Sequence, residues 1–286
     1  MKFARLGPPG EERAVVLVED VAHTLDGVAA DLDAAFWESD GPGRVRAALA
    51  AGRLERLPGA DELRIGAPVA RPGAIYCIGM NYAAHAAESG AEPPAQPVVF
   101  LKVPNSVAGP DDEVTIPRGS EKTDWEVELG IVIGTRASYL DSPEEGLAHV
   151  GGFVLANDLS ERAFQLEVSG GQWSKGKIAA GFTPLGPWLV TADEVAPDQL
   201  GLRSWVNGEV RQNSSSADMI FGVGEIVHHL SQYAVLDPGD VILTGTPQGV
   251  ALSGRFPYLA PDDVVEVEID GLGRQRQRMR AWEGGK

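Results

Sequence analysis

The chain holds a single cysteine, Cys77, among its 286 residues. One cysteine excludes an intrachain disulfide and a thiolate zinc cluster. Cys77 sits in the apolar run AIYCIG, where a buried, inert thiol is expected. Long apolar runs are also missing. PVVF and LGIVIG fall far short of the roughly 20 residues a membrane span requires. Met1 leads through strand-like KFARL into Gly-Pro-Pro-Gly with no apolar signal region, so a cytoplasmic location is expected. Positive charge is scarce: 24 Lys and Arg stand against 41 Asp and Glu, a formal net charge of −17. Neither nucleic acid nor an anionic membrane is expected as a partner, because both are recognised by clustered Lys and Arg. An anionic substrate gains nothing from such a field. Any carboxylate must be held by local cations: a metal, an Arg or Lys, or helix N-termini.

What is present is an ordinary globular balance, 43% hydrophobic and 23% charged, ample for a large core. Residues 1–68 read as a small N-terminal domain, with KFARL and AVVLVED as strands and VRAALAAGRLERL as a helix with a weak centre at Gly52. The Pro and Gly of RIGAPVARPG mark the passage into a main domain, residues 69–286. There AIYCIG, PVVFLKV, EVTIP, EVELGIVIG, HVGGFVLAND, GPWLVTA, LRSWVNGEV, DVILTGTP and DVVEVEID are short, rich in Val and Ile, and bounded by turn residues. They read as strands, and Asn207-Gly208 marks a hairpin. Helices are predicted at about 81–89, 160–169 and 220–234, the last with a stripe of Ile220, Val223, Ile226, Val227 and Leu230. Helices do not alternate with strands, so the fold class is α+β with a large mixed sheet folded on itself, not a doubly wound one.

Five segments can carry chemistry. In DWEVELGIVI, a side-chain period of two points Glu126 and Glu128 to one face, about 6.8 Å apart along the strand. Two like charges entering an apolar strand need a compensating cation; the alternative is an exposed edge strand with solvated glutamates. Asp158 ends another apolar strand, GGFVLAND, and completes an all-oxygen set that suits Mg²⁺, Mn²⁺ or Ca²⁺ better than zinc or copper. In NYAAHAAESG, Asn81 can cap a short helix that ends at Gly90, and His85 and Glu88 share a face. A carboxylate on an imidazole suits a general base acting on water; the alternative is a surface helix with a weak ion pair. Lys177 in WSKGKIAAGF can stabilise a developing oxyanion or enolate, or be one more surface lysine. In DVILTGTPQGV, Thr244, Gly245 and Thr246 offer donors that can cradle a carboxylate, or form a tight loop. His228 and His229 lie in or beside the apolar stripe of their helix and read as core or surface residues, not ligands.

In this order, IPRGSEKTDWEVELGIVIG, NDLSERAFQLE, GQWSKGK and PLGPWLVTADEV resemble the fumarylacetoacetate hydrolase family from about Ile75 to about Asp270. Within it they are most similar to the bacterial ureidoglycolate lyase and 2,4-diketo-3-deoxy-L-fuconate hydrolase-like members. The resemblance implies Glu126, Glu128 and Asp158 as metal ligands for Mg²⁺ or Mn²⁺, with Ca²⁺ also fitting. It implies His85 and Glu88 as a water-activating dyad on a lid, and Lys177 as the lysine that stabilises an enolate. Arg162, Gln165 and Thr246 are implied as substrate-side residues, with Gln165 facing substrate and Thr246 contacting its carboxylate. It further implies a mixed sheet rolled into a barrel-like sandwich behind a small N-terminal domain, and a homodimer. The activity implied is metal-dependent hydrolysis of a C–C bond in a small anionic 2,4-dioxo acid. Decarboxylation, isomerisation and ureidoglycolate lysis at the same site are the alternatives, as is a weakened relative that only binds such metabolites. One departure stands out. Family members continue the lysine segment with Asp-Thr, whereas Ala180 and Gly181 stand here, removing hydrogen-bonding groups beside Lys177.

Overall fold

The computed structural model describes residues 1–284. Its frame is an 11-stranded sheet and a 5-stranded sheet that pack as a sandwich without closing into a barrel. In the larger sheet nine strands run in the spatial order Val21–Thr24, Arg13–Val18, Lys2–Leu6, Thr183–Thr191, Val150–Asn157, Val127–Ile133, Val241–Leu243, Ile75–Gly79 and Val98–Lys102, while Ile65–Gly66 pairs with Lys2–Leu6 and Val107–Ala108 with Thr183–Thr191 off this path. Pairing along it is antiparallel except between Val241–Leu243 and Ile75–Gly79. The N-terminal strand Lys2–Leu6 joins this sheet directly, setting Lys2 opposite Val190.

The central strand Val127–Ile133 is buried along its whole length, so both of its faces must find apolar cover. Odd-numbered Leu129, Ile131 and Ile133 pack with Phe153, Val265 and Val267 between the two sheets. Even-numbered Val132 packs on the other side with Val154, Ala156, Ile75 and Cys77, beneath Phe36 and Trp37. This parity matters for the site. Glu126, Glu128 and Asp158 are even positions continuing those rows, so the pleat sends all three carboxylates to the second face.

Several elements depart from the sequence reading. The helix expected across Gly52 spans only Gly41–Ala50, and Gly52 follows it with a left-handed φ of +62°, a conformation that ends helices. The helix expected at 160–169 is a short strand, Ser160–Glu161, followed by one π-helical turn, Ala163–Glu167. Pairing of Ser160 with Asp124 takes the first residues away from helical geometry. The strand Gly273–Arg280 was missed because GRQRQRMR looks too charged; in place, Gln275, Gln277 and Met279 point inward and the arginines outward. The Asn207-Gly208 hairpin forms as expected, with φ of +53° and +79°.

Candidate functional site

The three carboxylates converge. One oxygen each from Glu126, Glu128 and Asp158 lies within 4.8 Å of the others, and all three residues are buried. Adjacent strands bring them together: Val127 pairs with Asn157, and the Asp158 N–H donates to the Glu126 carbonyl at 2.8 Å.

Cations interlock with them. Lys177 Nζ donates to Glu126 Oε2 at 2.6 Å and to Asp158 Oδ2 at 2.7 Å. Lys102 Nζ donates to the other Asp158 oxygen at 2.5 Å. Arg162 donates to Glu126 Oε1 at 2.7 Å, to Asp124 Oδ2 at 2.8 Å and to the carboxamide oxygen of Gln165 at 2.9 Å. Asp124 also accepts the N–H groups of Ala251 and Leu252, at 2.8 and 2.9 Å.

Charge does not balance in this cluster. Among the described residues, the Lys and Arg side chains paired with Asp124, Glu126 and Asp158 are Arg162, Lys177 and Lys102, all of them buried, and Glu128 pairs with none. The shortfall falls on Glu128, whose side chain accepts, among the described residues, the Gly245 N–H alone, at 2.8 Å. Burial, and then the like charges of Asp158 and Glu126, push its carboxyl well above the ordinary range. Burial works the same way on Glu126, but Lys177 and Arg162 outweigh it and hold that carboxyl well below. Burial alone would lower the Lys177 ammonium, yet Asp158 and Glu126 outweigh it and raise its pKa. A divalent cation fits this donor set: three hard oxygen donors carrying one uncompensated negative charge become net positive with the ion, a polarity suited to an anionic ligand.

A cavity of about 290 Å³ opens on this wall and is also lined by His85, Glu88, Gln165, Lys177 and Thr246. His85 Nδ1 lies 3.1 Å from Glu88 Oε1. Glu88 also receives the Gly249 N–H at 3.0 Å and the Arg255 guanidinium at 2.8 Å. Burial acts to raise the Glu88 pKa, but the His85 and Gly249 hydrogen bonds outweigh it and hold the carboxyl below its usual range. An ionised carboxylate only accepts, so Nδ1 carries the imidazole proton and Nε2 is left as the basic atom.

Asn81 does not cap the helix Ala83–Glu88, whose N-cap is Tyr82. Its amide donates instead to the Thr244 and Phe221 carbonyls and accepts the Phe221 N–H, which roots the helix on the strand end beside the carboxylates. Thr246 lines the cavity, but its hydroxyl donates to the Val127 carbonyl at 2.9 Å and accepts from Gln212 at 2.7 Å; a carboxylate must compete for that proton. Gln165 has its oxygen engaged by Arg162, so its NH₂ is what it offers a ligand. Ala180 is exposed on the turn after Lys177, and Gly181 takes a φ of +77°. Neither lines the cavity, and Lys177 takes its partners from Glu126 and Asp158. His228 and His229 lie at the end of the helix Val223–Ser231, outside the cavity. Burial, then the charge of Asp158, pushes the Cys77 thiol well above its ordinary value, consistent with an inert thiol.

Sequence reasoning missed Lys102, Asp124 and Arg255. The first two were within reach. Period two from Phe100, which faces the core, places Lys102 on the same inward face, and Asp124 continues the 126/128 row. Arg255 carries no such signal, being exposed in a loop. Lys102→Met strips Asp158 of a fully buried partner and is expected to destabilise the fold by about 3–5 kcal/mol, read from urea unfolding. An unchanged midpoint would show that Lys177 alone satisfies Asp158.

The sequence profile of the fumarylacetoacetate (FAA) hydrolase C-terminal family matches residues 74–280. A 2,4-didehydro-3-deoxy-L-rhamnonate hydrolase of a Sphingomonas species is 42% identical, covering 99% of this chain and 97% of that protein. The structure of a fumarylacetoacetate hydrolase from Exiguobacterium antarcticum superposes with a TM-score of 0.84 at 33% identity, covering 99% of this chain and 100% of that one. Maleylpyruvate hydrolase from Sphingobium, solved with manganese(II) and pyruvate, gives 0.80 at 26% identity over the same shares.

Proposed function

The chain belongs to the fumarylacetoacetate hydrolase family, and on that premise we propose that it hydrolyses the C3–C4 bond of a 2,4-dioxo acid with Mg²⁺ or Mn²⁺ bound by Glu126, Glu128 and Asp158. The observation that carries this reading is a single cavity lined by Glu126, Glu128, Lys177 and an imidazole whose tautomer is set by Glu88. The relatives named above act on 2,4-didehydro-3-deoxy-L-rhamnonate and on maleylpyruvate, which supports an acylpyruvate-type substrate. All cavity-lining residues lie beyond residue 68, in keeping with a catalytic domain at 69–286 and a small N-terminal domain. A homodimer belongs to the same reading.

The cation, when bound, supplies Lewis acidity toward the 1-carboxylate and 2-oxo oxygens of the substrate. The chain supplies the rest. His85 Nε2 takes a proton from water as the water oxygen bonds to C4. The C3–C4 bond then breaks, its electron pair passing into the enolate of pyruvate while C4 leaves as a carboxylic acid. Lys177, which lines the cavity, has three N–H donors and spends two on Glu126 and Asp158, which leaves one to donate to the enolate oxygen. Protonation of C3, with the proton His85 acquired, completes pyruvate. Gln165 and Thr246 orient the substrate, and Arg162 fixes Glu126 and Gln165 by its fork of hydrogen bonds.

The test is a panel of acylpyruvates, oxaloacetate and ureidoglycolate with Mg²⁺ or Mn²⁺, followed by NMR. Appearance of pyruvate together with the matching carboxylic acid is expected. Turnover of only oxaloacetate or ureidoglycolate would assign the same site to decarboxylation or C–N lysis, and full acylpyruvate activity after exhaustive chelation would refute the metal's role.

A further inference from the structure

The strand Val98–Lys102 ends the spatial order of the larger sheet, and its two faces differ. Phe100 and Lys102 are buried on the inward face. The Lys177 ammonium lies 4.9 Å from the centre of the Phe100 ring, and Lys102 bonds Asp158. Val99 and Leu101, on the outward face, are 42% and 48% exposed. Leu101 stands opposite Tyr76 on the neighbouring strand. With His229 of the helix Val223–Ser231, and Tyr233 just past it, these side chains line an open groove. Phe100 lines both this groove and the carboxylate cavity.

Edge strands with apolar outward side chains are ordinarily blunted by projecting charges. Here, among the described residues, no Asp, Glu, Lys or Arg lines the groove. Burial, and then His228, lower the His229 pKa, so that imidazole adds no charge at neutral pH. The chain as a whole carries a formal −17. Two copies therefore repel each other over most of their surfaces, and a neutral apolar face is where they can meet. A basic partner would be drawn to the acidic surface instead and finds no counter-charge in the groove. Shape agrees with charge. Tyr233, 73% exposed, projects beside the groove, and a knob next to a hollow is the self-complementarity that a two-fold contact requires. The Leu101 N–H is already taken by Ser174 Oγ at 3.2 Å, so side chains, not a shared strand ladder, make the contact.

We propose that a second copy of the chain docks on this groove across a two-fold axis, and that docking braces the edge strand whose inner face carries Phe100 and Lys102. The homodimer of the hydrolase reading thereby acquires a face, but no substrate enters the test, so the two stand or fail apart.

Sedimentation velocity at micromolar protein compares the wild type with Leu101→Glu, Tyr233→Glu and a control, Val210→Glu, at an exposed apolar position outside the groove. The wild type and Val210→Glu are expected to sediment as dimers. Leu101→Glu and Tyr233→Glu each put an unpaired carboxylate into the contact twice, and are expected to weaken association by about 100-fold. Both positions are exposed, so circular dichroism should be unchanged. Amide hydrogen exchange reads the brace: peptides covering residues 98–102 are expected to exchange faster in the monomeric variants. Diluting the wild type through its dissociation range should speed the same peptides with no substitution at all. A wild type that is monomeric by itself would leave the groove to a different apolar partner and overturn the second copy. A dimer that survives both groove substitutions, or is broken by Val210→Glu alone, would place the contact elsewhere. Unchanged exchange at 98–102 in the dissociated protein would overturn the brace.

Discussion

Mg²⁺ or Mn²⁺ at saturating concentration is expected to raise the thermal midpoint of the protein by about 5 °C, the shift that a ligand at about 100 times its Kd gives a chain of this size. The sharper expectation concerns two variants that differ in sign. Glu128 carries the unbalanced charge of the cluster, with burial, Asp158 and Glu126 all disfavouring its ionised form. Glu128→Gln removes that repulsion and keeps an oxygen for the Gly245 N–H, so the metal-free protein should be at least as stable as the wild type while its response to metal disappears. Glu126→Gln does the opposite to the metal-free state. It leaves Lys177 and Arg162, both buried, short of a counter-charge they each contact, and should lower the metal-free midpoint as well as abolish the metal shift. Differential scanning fluorimetry with and without EDTA measures both. A full metal response in Glu128→Gln would remove that residue from the ligand set.

His85→Ala is the second large effect, a fall in kcat of about 10²–10⁴-fold at unchanged metal response. The argument runs through Glu88. Its carboxylate is held ionised and receives His85, Gly249 and Arg255, which leaves the imidazole with its basic nitrogen away from Glu88. Glu88→Gln can still accept from Gly249 through its amide oxygen but no longer enforces that tautomer, so a smaller loss in kcat is expected, with the pH–rate profile altered on its acid side. Metal binding lost together with activity in His85→Ala would mean that the imidazole supports the carboxylate cluster and is not the base.

Much of this site was legible beforehand. Period two in a strand is enough to put Glu126 and Glu128 on one face, and the apolar residues between them show that the strand is interior. The i, i+3 spacing is enough to pair His85 with Glu88. Less visible were the partners that make those groups chemically distinct. Lys102, Asp124 and Arg255 lie 56, 38 and 167 residues from the groups they bond, Asp158, Arg162 and Glu88, and spacing along the chain carries no information at such separations. The expected Asn81 cap failed for the same reason: Thr244 and Phe221, brought close by the sheet, satisfy its amide better than the helix end does. Gln275 and Gln277 were passed over because a buried glutamine is legible only once the carbonyls that accept from it, such as Leu155 and Pro110, are in view.

Glu126, Glu128 and Asp158 converge in the fold, and their partners set an uneven charge balance. Residue type and periodicity by themselves determined a strand-rich α+β chain, the two glutamates on one face, the aspartate at a strand end and the histidine–glutamate pair, because these follow from local backbone geometry and the need to bury apolar side chains. Only the tertiary structure decided that Glu128 is the uncompensated member, that Lys177 contacts two of the three carboxylates, and that Ala180 and Gly181 lie away from the cavity. Those are matters of distance and burial between remote segments, where the low dielectric makes each unpaired charge count and where no local pattern records who faces whom.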